Sequence, residues 1–96
     1  MDLTYSDTFK DYIVEQNDLG HPQTIYKFPN GYGASVIKLN YIYFGIEVAV
    51  LKFDKNGNWD IDYRTPLTND VIGGLNEESR DSVLQQIFDL EKLKEE

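Results

Sequence analysis

The sequence predicts an α+β domain, a four-stranded antiparallel meander packed against a C-terminal helix, with a short helix ahead of the sheet. Three observations predict it. The stretch at residues 44–53, Phe-Gly-Ile-Glu-Val-Ala-Val-Leu-Lys-Phe, puts Ile46, Val48 and Val50 on one side of a strand and Ala49, Leu51 and Phe53 on the other. Both faces are apolar, so this is a central strand that needs a partner on each edge and a covering layer. Asn-Gly pairs at 30–31 and 56–57 punctuate period-two patterns, the strongest short hairpin signal. Finally, Val83, Leu84, Ile87, Phe88, Leu90 and Leu93 recur at helical spacing and make one broad apolar face.

The elements follow in chain order. In residues 6–16, Phe9, Tyr12, Ile13 and Gln16 form a helical stripe, whereas Tyr12-Ile13-Val14 favours a strand by propensity. The helix is the expectation, with Asp7 and Asp11 near its positive end and Gly20 stopping it. His21-Pro22 then forces an extended path into a strand at residues 24–28. Pro29-Asn30-Gly31 turns the chain through a type I′ hairpin, where Asn and Gly would both take positive φ. The return strand is Tyr32 to Leu39, and small residues at 33–35 predict a bulge or another backbone lying close. An aromatic connection with Tyr41, Tyr43 and Phe44 leads into the central strand. Beyond the second turn, Trp59, Ile61 and Tyr63 alternate with Asp60, Asp62 and Arg64, which predicts one dry face and one wet one. Thr68 and Asp70 open a single helical turn through Ile72 that Gly73-Gly74 ends. Asn76 caps the main helix at residues 77–92, with Glu77 and Glu78 in its first turn and Lys92 and Lys94 at its end, as the dipole prefers.

Ninety-six residues without an internal repeat or linker suit one domain, residues 1–96. The absence of cysteine excludes a disulfide framework and thiolate chemistry and agrees with a reducing compartment. No apolar run approaches the roughly 20 residues that span a bilayer, and Met1-Asp2-Leu3-Thr4 lacks a basic leader, so a cytoplasmic location is expected. Net charge is −8, with −4 in residues 1–20, +2 in residues 21–53 and −6 in residues 54–96. This sign repels phosphate backbones, which argues against direct nucleic-acid binding and admits a partner with a basic surface. It is also what solubility alone requires.

Candidate chemistry is sparse. Asp54, Asn56, Asn58, Asp60 and Asp62 space oxygens as a calcium loop does, but Trp59 stands where that loop needs glycine and Thr65 where it needs a bidentate glutamate. A hairpin turn explains the same residues, so no metal or cofactor is expected. His21 is the one histidine and cannot supply a multi-histidine zinc site, and the serines lie in no nucleophile-elbow context. Gly31-Tyr32-Gly33 and Gly73-Gly74 lack the strand, glycine loop and helix order that cradles phosphate. No enzyme is expected. Aromatic residues with polar tips suit interfaces, although a sheet covered by one helix also buries several of them. The candidate partner-binding set is therefore Tyr32, Tyr41, Tyr43 and Phe44, joined by the carboxylates Asp60, Asp62, Glu77 and Glu78. In its sharpest form such a set would mimic the charge of DNA in a basic groove.

Two stretches, Tyr-Lys-Phe-Pro-Asn-Gly-Tyr-Gly-Ala-Ser-Val at 26–36 and Tyr-Arg-Thr-Pro-Leu-Thr-Asn-Asp-Val-Ile-Gly at 63–73, carry a resemblance. With the Glu-Val-Ala-Val-Leu run between them they resemble a group of small uncharacterised proteins of tailed bacteriophages, over about residues 24–90. The resemblance implies a setting in the cytoplasm of an infected bacterium, where small acidic proteins bind and inhibit host proteins. A homo-oligomeric accessory protein without inhibitory activity is the alternative, and a homodimer would be its simplest form.

Overall fold

The computed structural model of the protein describes residues 3–18, 20–39, 45–62 and 72–91. It shows an α+β fold with one α-helix among the described residues and a six-stranded antiparallel sheet rather than a four-stranded one. The strands are β1 (Ile13–Asp18), β2 (Pro22–Lys27), β3 (Tyr32–Leu39), β4 (Gly45–Phe53), β5 (Trp59–Ile61) and β6 (Ile72–Leu75), and the helix is α1 (Glu77–Phe88). They pair in the order β1-β2-β3-β4-β5, and β6 also pairs with β4. The central strand is where its two-sided apolar pattern puts it. β3 lies along one edge of β4, while β5 and β6 share the other, β5 beside residues 51–53 and β6 beside 46–48.

Both extra strands replace expected helical turns. The helical stripe at Phe9 and Tyr12 yields only a 3-10 turn, Lys10–Tyr12, after which the backbone extends into β1. The β-branched pair Ile13-Val14 favours extension, and β2 would otherwise leave a full edge unpaired. Gly20 does adopt positive φ, +85°, but as part of the turn between β1 and β2. Likewise Ile72 begins β6 instead of closing a helical turn, with Val48 opposite Ile72 and Ile46 opposite Leu75. Thr68 and Asp70 lie outside the described residues.

The two hairpin turns also differ from expectation. No described non-glycine residue has positive φ, so Asn30 and Asn56 are not in type I′ geometry. In each turn the glycine alone is left-handed, Gly31 at +90° and Gly57 at +84°. Its N–H bonds the carbonyl three residues back, Phe28 at 3.2 Å and Asp54 at 3.1 Å. Such a three-residue loop with a terminal glycine suits the right-handed twist of the strands. Pro29 occupies the first loop position, where its fixed φ is favourable.

One sheet face carries the main core: Tyr26 and Phe28 of the β2 hairpin, Ala34 and Val36, and Ile46, Val48 and Val50 meet Val83, Leu84 and Ile87 of α1. The N-terminal segment completes this layer. Phe9 is buried there, Tyr26 Oη donates to the Thr4 carbonyl at 2.6 Å, and the Thr4 and Thr24 hydroxyls bond each other at 2.7 Å. Phe9, Tyr12, Phe28 and Phe88 meet with ring centroids 5.3 to 6.1 Å apart, mostly edge to face. The opposite face buries Ile25, Leu51 and Phe53, with Lys27 Nζ 5.5 Å over the Phe53 ring. Close approach explains Gly33, which is not bulged: a Cβ there would collide with the Tyr26 carbonyl and the Phe53 ring.

Asn76 caps α1 as expected, in a reciprocal box with Ser79: Ser79 N–H donates to Asn76 Oδ1 at 2.8 Å, and Asn76 N–H to Ser79 Oγ at 2.9 Å. The helix ends four residues before the expected Lys92, at Phe88. Asn30 ends it. Its Nδ2 donates to the carbonyls of Ile87, Phe88 and Leu90 at 2.8 to 3.1 Å, and its Oδ1 accepts Tyr32 N–H at 3.0 Å. No basic residue lies in the last turn, and Lys92 and Lys94 lie outside the described residues.

Candidate functional site

Among the described residues, the expected partner-binding positions fall in two separate places. Tyr32 opens β3, and the register runs Tyr32 opposite Lys52 and Lys52 opposite Asp60, so this tyrosine and the β5 carboxylates share one end of the sheet. Tyr32 is half-buried and leans on the core. Desolvation, and secondarily the negative charge of Asp62, hold its phenol above the ordinary tyrosine range. Glu77 and Glu78 sit at the other end of α1, which at about 1.5 Å per residue spans about 18 Å from that tyrosine's end. Tyr41, Tyr43 and Phe44 lie outside the described residues.

β5 has no dry face. Trp59 and Ile61 remain 36% and 37% exposed although they stand opposite Phe53 and Leu51, and Asp60 is exposed on the other side. A three-residue edge strand has a neighbour only toward β4, so alternation does not bury either side. The outward amide of Ile61 is taken by Asp60 Oδ1 at 2.9 Å. Asp54 is occupied within its own turn, where Oδ1 accepts the N–H groups of Asn56 and Asn58 at 2.9 and 3.0 Å. Among the described residues no group of three or more His, Asp or Glu is arranged to hold a metal ion.

Glu77 and Glu78 instead join residues distant in sequence. The N-terminal segment runs beside the start of α1, and between them lies an open depression of about 560 Å³ lined by Tyr5, Asp7, Thr8, Glu77, Glu78, Arg80 and Asp81. Four of these are carboxylates. The one cation, Arg80, is only 4% exposed; its Nε bonds Asp81 Oδ1 at 3.0 Å and its Nη1 donates to the Leu3 carbonyl at 2.6 Å. The guanidinium therefore faces inward and ties the segment to the helix, while the carboxylates of Asp7, Glu77 and Glu78 face water. Exposed Asp7 also pairs loosely with Lys10 at 3.8 Å. Such a wall of acceptors beside the partly exposed ring of Tyr5 can receive an ammonium or guanidinium group. Sequence reasoning found Glu77 and Glu78 but not Tyr5, Asp7, Thr8, Arg80 or Asp81, because no spacing rule joins positions some seventy residues apart.

No family model matches the sequence, and no curated protein or solved structure does either.

Proposed function

We propose that the protein is a non-enzymatic protein-binding module that receives a basic segment of a host protein in the acidic depression between its N-terminal segment and α1. The observation that carries this reading is the depression itself: carboxylates of Asp7, Glu77 and Glu78 beside Tyr5, on a frame held by the Arg80 bonds and the Asn76–Ser79 capping box. The bond from Arg80 to the Leu3 carbonyl fixes the N-terminal segment against the helix start, so less backbone has to be ordered on binding. The net charge of −8 adds long-range attraction for a basic partner. The resemblance to phage proteins supports a setting in the cytoplasm of an infected bacterium, where occupying a basic site would inhibit a host protein, a nucleic-acid-binding one included.

The test is capture from bacterial lysate by the native protein and by a variant carrying Asp7→Asn, Glu77→Gln and Glu78→Gln. A partner that binds the native protein, releases as salt rises and is lost on the variant supports the reading. A partner held equally by both sinks it.

One observation favours a second reading, a homo-oligomeric accessory protein. Trp59 and Ile61 are exposed on the edge strand β5, where Lys52 and Lys55 offset much of the charge of Asp54, Asp60 and Asp62, so a second copy would meet little net repulsion there. A sedimentation series should then show a dimer that Trp59→Ala dissociates.

A further inference from the structure

The sequence holds two Asn-Gly pairs, and the fold makes them a matched comparison. Both asparagines precede a left-handed glycine in a three-residue hairpin loop, and both glycine N–H groups bond the carbonyl three residues back. The closing bonds also correspond: Phe28 N–H to the Tyr32 carbonyl and Asp54 N–H to the Asn58 carbonyl, each 2.8 Å. Only the side chains differ. Asn30 is 9% exposed, with its amide nitrogen on three helix-end carbonyls and its oxygen on Tyr32 N–H. Asn56 is exposed, and its side-chain amide makes no hydrogen bond with any described residue.

We propose that Asn56 is a site of spontaneous deamidation and isoaspartate formation, and that Asn30 is protected by its hold on the end of α1. In this reaction the main-chain nitrogen of Gly57 attacks Asn56 Cγ. A new N–C bond closes a five-membered succinimide, the bond between Asn56 Cγ and Nδ2 breaks, and Nδ2 takes up the proton lost from Gly57 N–H, by way of solvent, and leaves as ammonia. Water then opens the ring at either carbonyl, leaving aspartate or isoaspartate at position 56, with no oxidant or cofactor consumed. Glycine favours ring closure because it has no Cβ to crowd the approach. The free amide of Asn56 can rotate toward Gly57 N, whereas Asn30 must first release its carbonyl partners, which requires local opening of the hairpin from the helix.

Each event adds one negative charge beside the Asp54 carboxylate. The isoaspartate product also inserts a methylene into the backbone inside the loop that sets the register of β4 and β5, three residues before Trp59. Deamidation would therefore alter this edge of the sheet as the protein ages.

The test is timed incubation of the full-length protein at mildly alkaline pH, followed by mass-spectrometric peptide mapping and methyl acceptance from an isoaspartyl methyltransferase. The expected result is modification at position 56 at least about tenfold faster than at position 30, with the two rates converging in concentrated urea. Asn56→Gln should remove the isoaspartate signal and leave the melting temperature unchanged. Equal rates in the folded protein, earlier modification at position 30, or a difference that persists in urea would each overturn the proposal. So would an unmodified Asn56 after a time that converts an unstructured Asn-Gly peptide.

Discussion

Asn30 shows how one residue can serve a purpose its sequence motif does not announce. In sequence it is half of a turn signal; in the fold its amide caps the last carbonyls of a helix more than fifty positions away. Asn30→Ala should therefore destabilise the protein by roughly 1 to 3 kcal/mol, because helix-end carbonyls lose their donor while the turn keeps Gly31. Asn30→Asp should cost more, since it sets a carboxylate against the negative end of the helix. Urea unfolding of the two variants checks both the size and the order. Tyr32 offers a pH test. Its phenol is raised above the ordinary range, so the stability it contributes is complete below about pH 10 and is lost as pH rises through the raised value. Tyr32→Phe should flatten the alkaline limb of the stability curve; an unchanged limb would show that this tyrosine ionises as it does in the unfolded state.

Among the elements, β4 and α1 are the most legible, since a two-sided apolar strand and a capped amphipathic helix announce themselves by period and boundary residues. Leu84 is fully buried between them, so Leu84→Ala should cost roughly 2 to 5 kcal/mol, measured as a shift in the urea midpoint at constant slope. β1 and β6 differ from the sequence expectation because short segments carry too few residues for period to outweigh context, and unpaired sheet edges recruit both as strands. In β1 the register steps from Ile13 opposite Tyr26 to Glu15 opposite Ile25, leaving Val14 in a bulge and 56% exposed. A bulge on an outer strand that also carries Glu15 and Asp18 discourages pairing with another sheet. At the β5 turn, the Asp54 carboxylate is occupied by two backbone N–H groups, so millimolar calcium should leave Trp59 fluorescence and the melting temperature unchanged. A saturable stabilisation abolished by Asp54→Ala would show otherwise.

For the whole molecule, the sequence by itself determined the α+β class, the central strand, the position of both hairpin turns, the N-cap of α1 and the uneven acidic charge. Each depends on residues within a few positions of one another: alternation, capping and turn chemistry act locally, and charge needs only counting. No helix among the described residues is long and apolar enough to cross a membrane, in line with the absence of any long apolar run. Tertiary structure alone decided how many strands the sheet has and which carboxylates meet. It parted Asp60 and Asp62 from Glu77 and Glu78 by the length of α1, and it brought Asp7 and Tyr5 to the helix start through the Arg80 bond to the Leu3 carbonyl. The reason is physical: the buried guanidinium, the Thr4–Thr24 pair and the Asn30 cap join positions 20 to 77 residues apart, and such contacts follow from how the core closes, which no local pattern encodes.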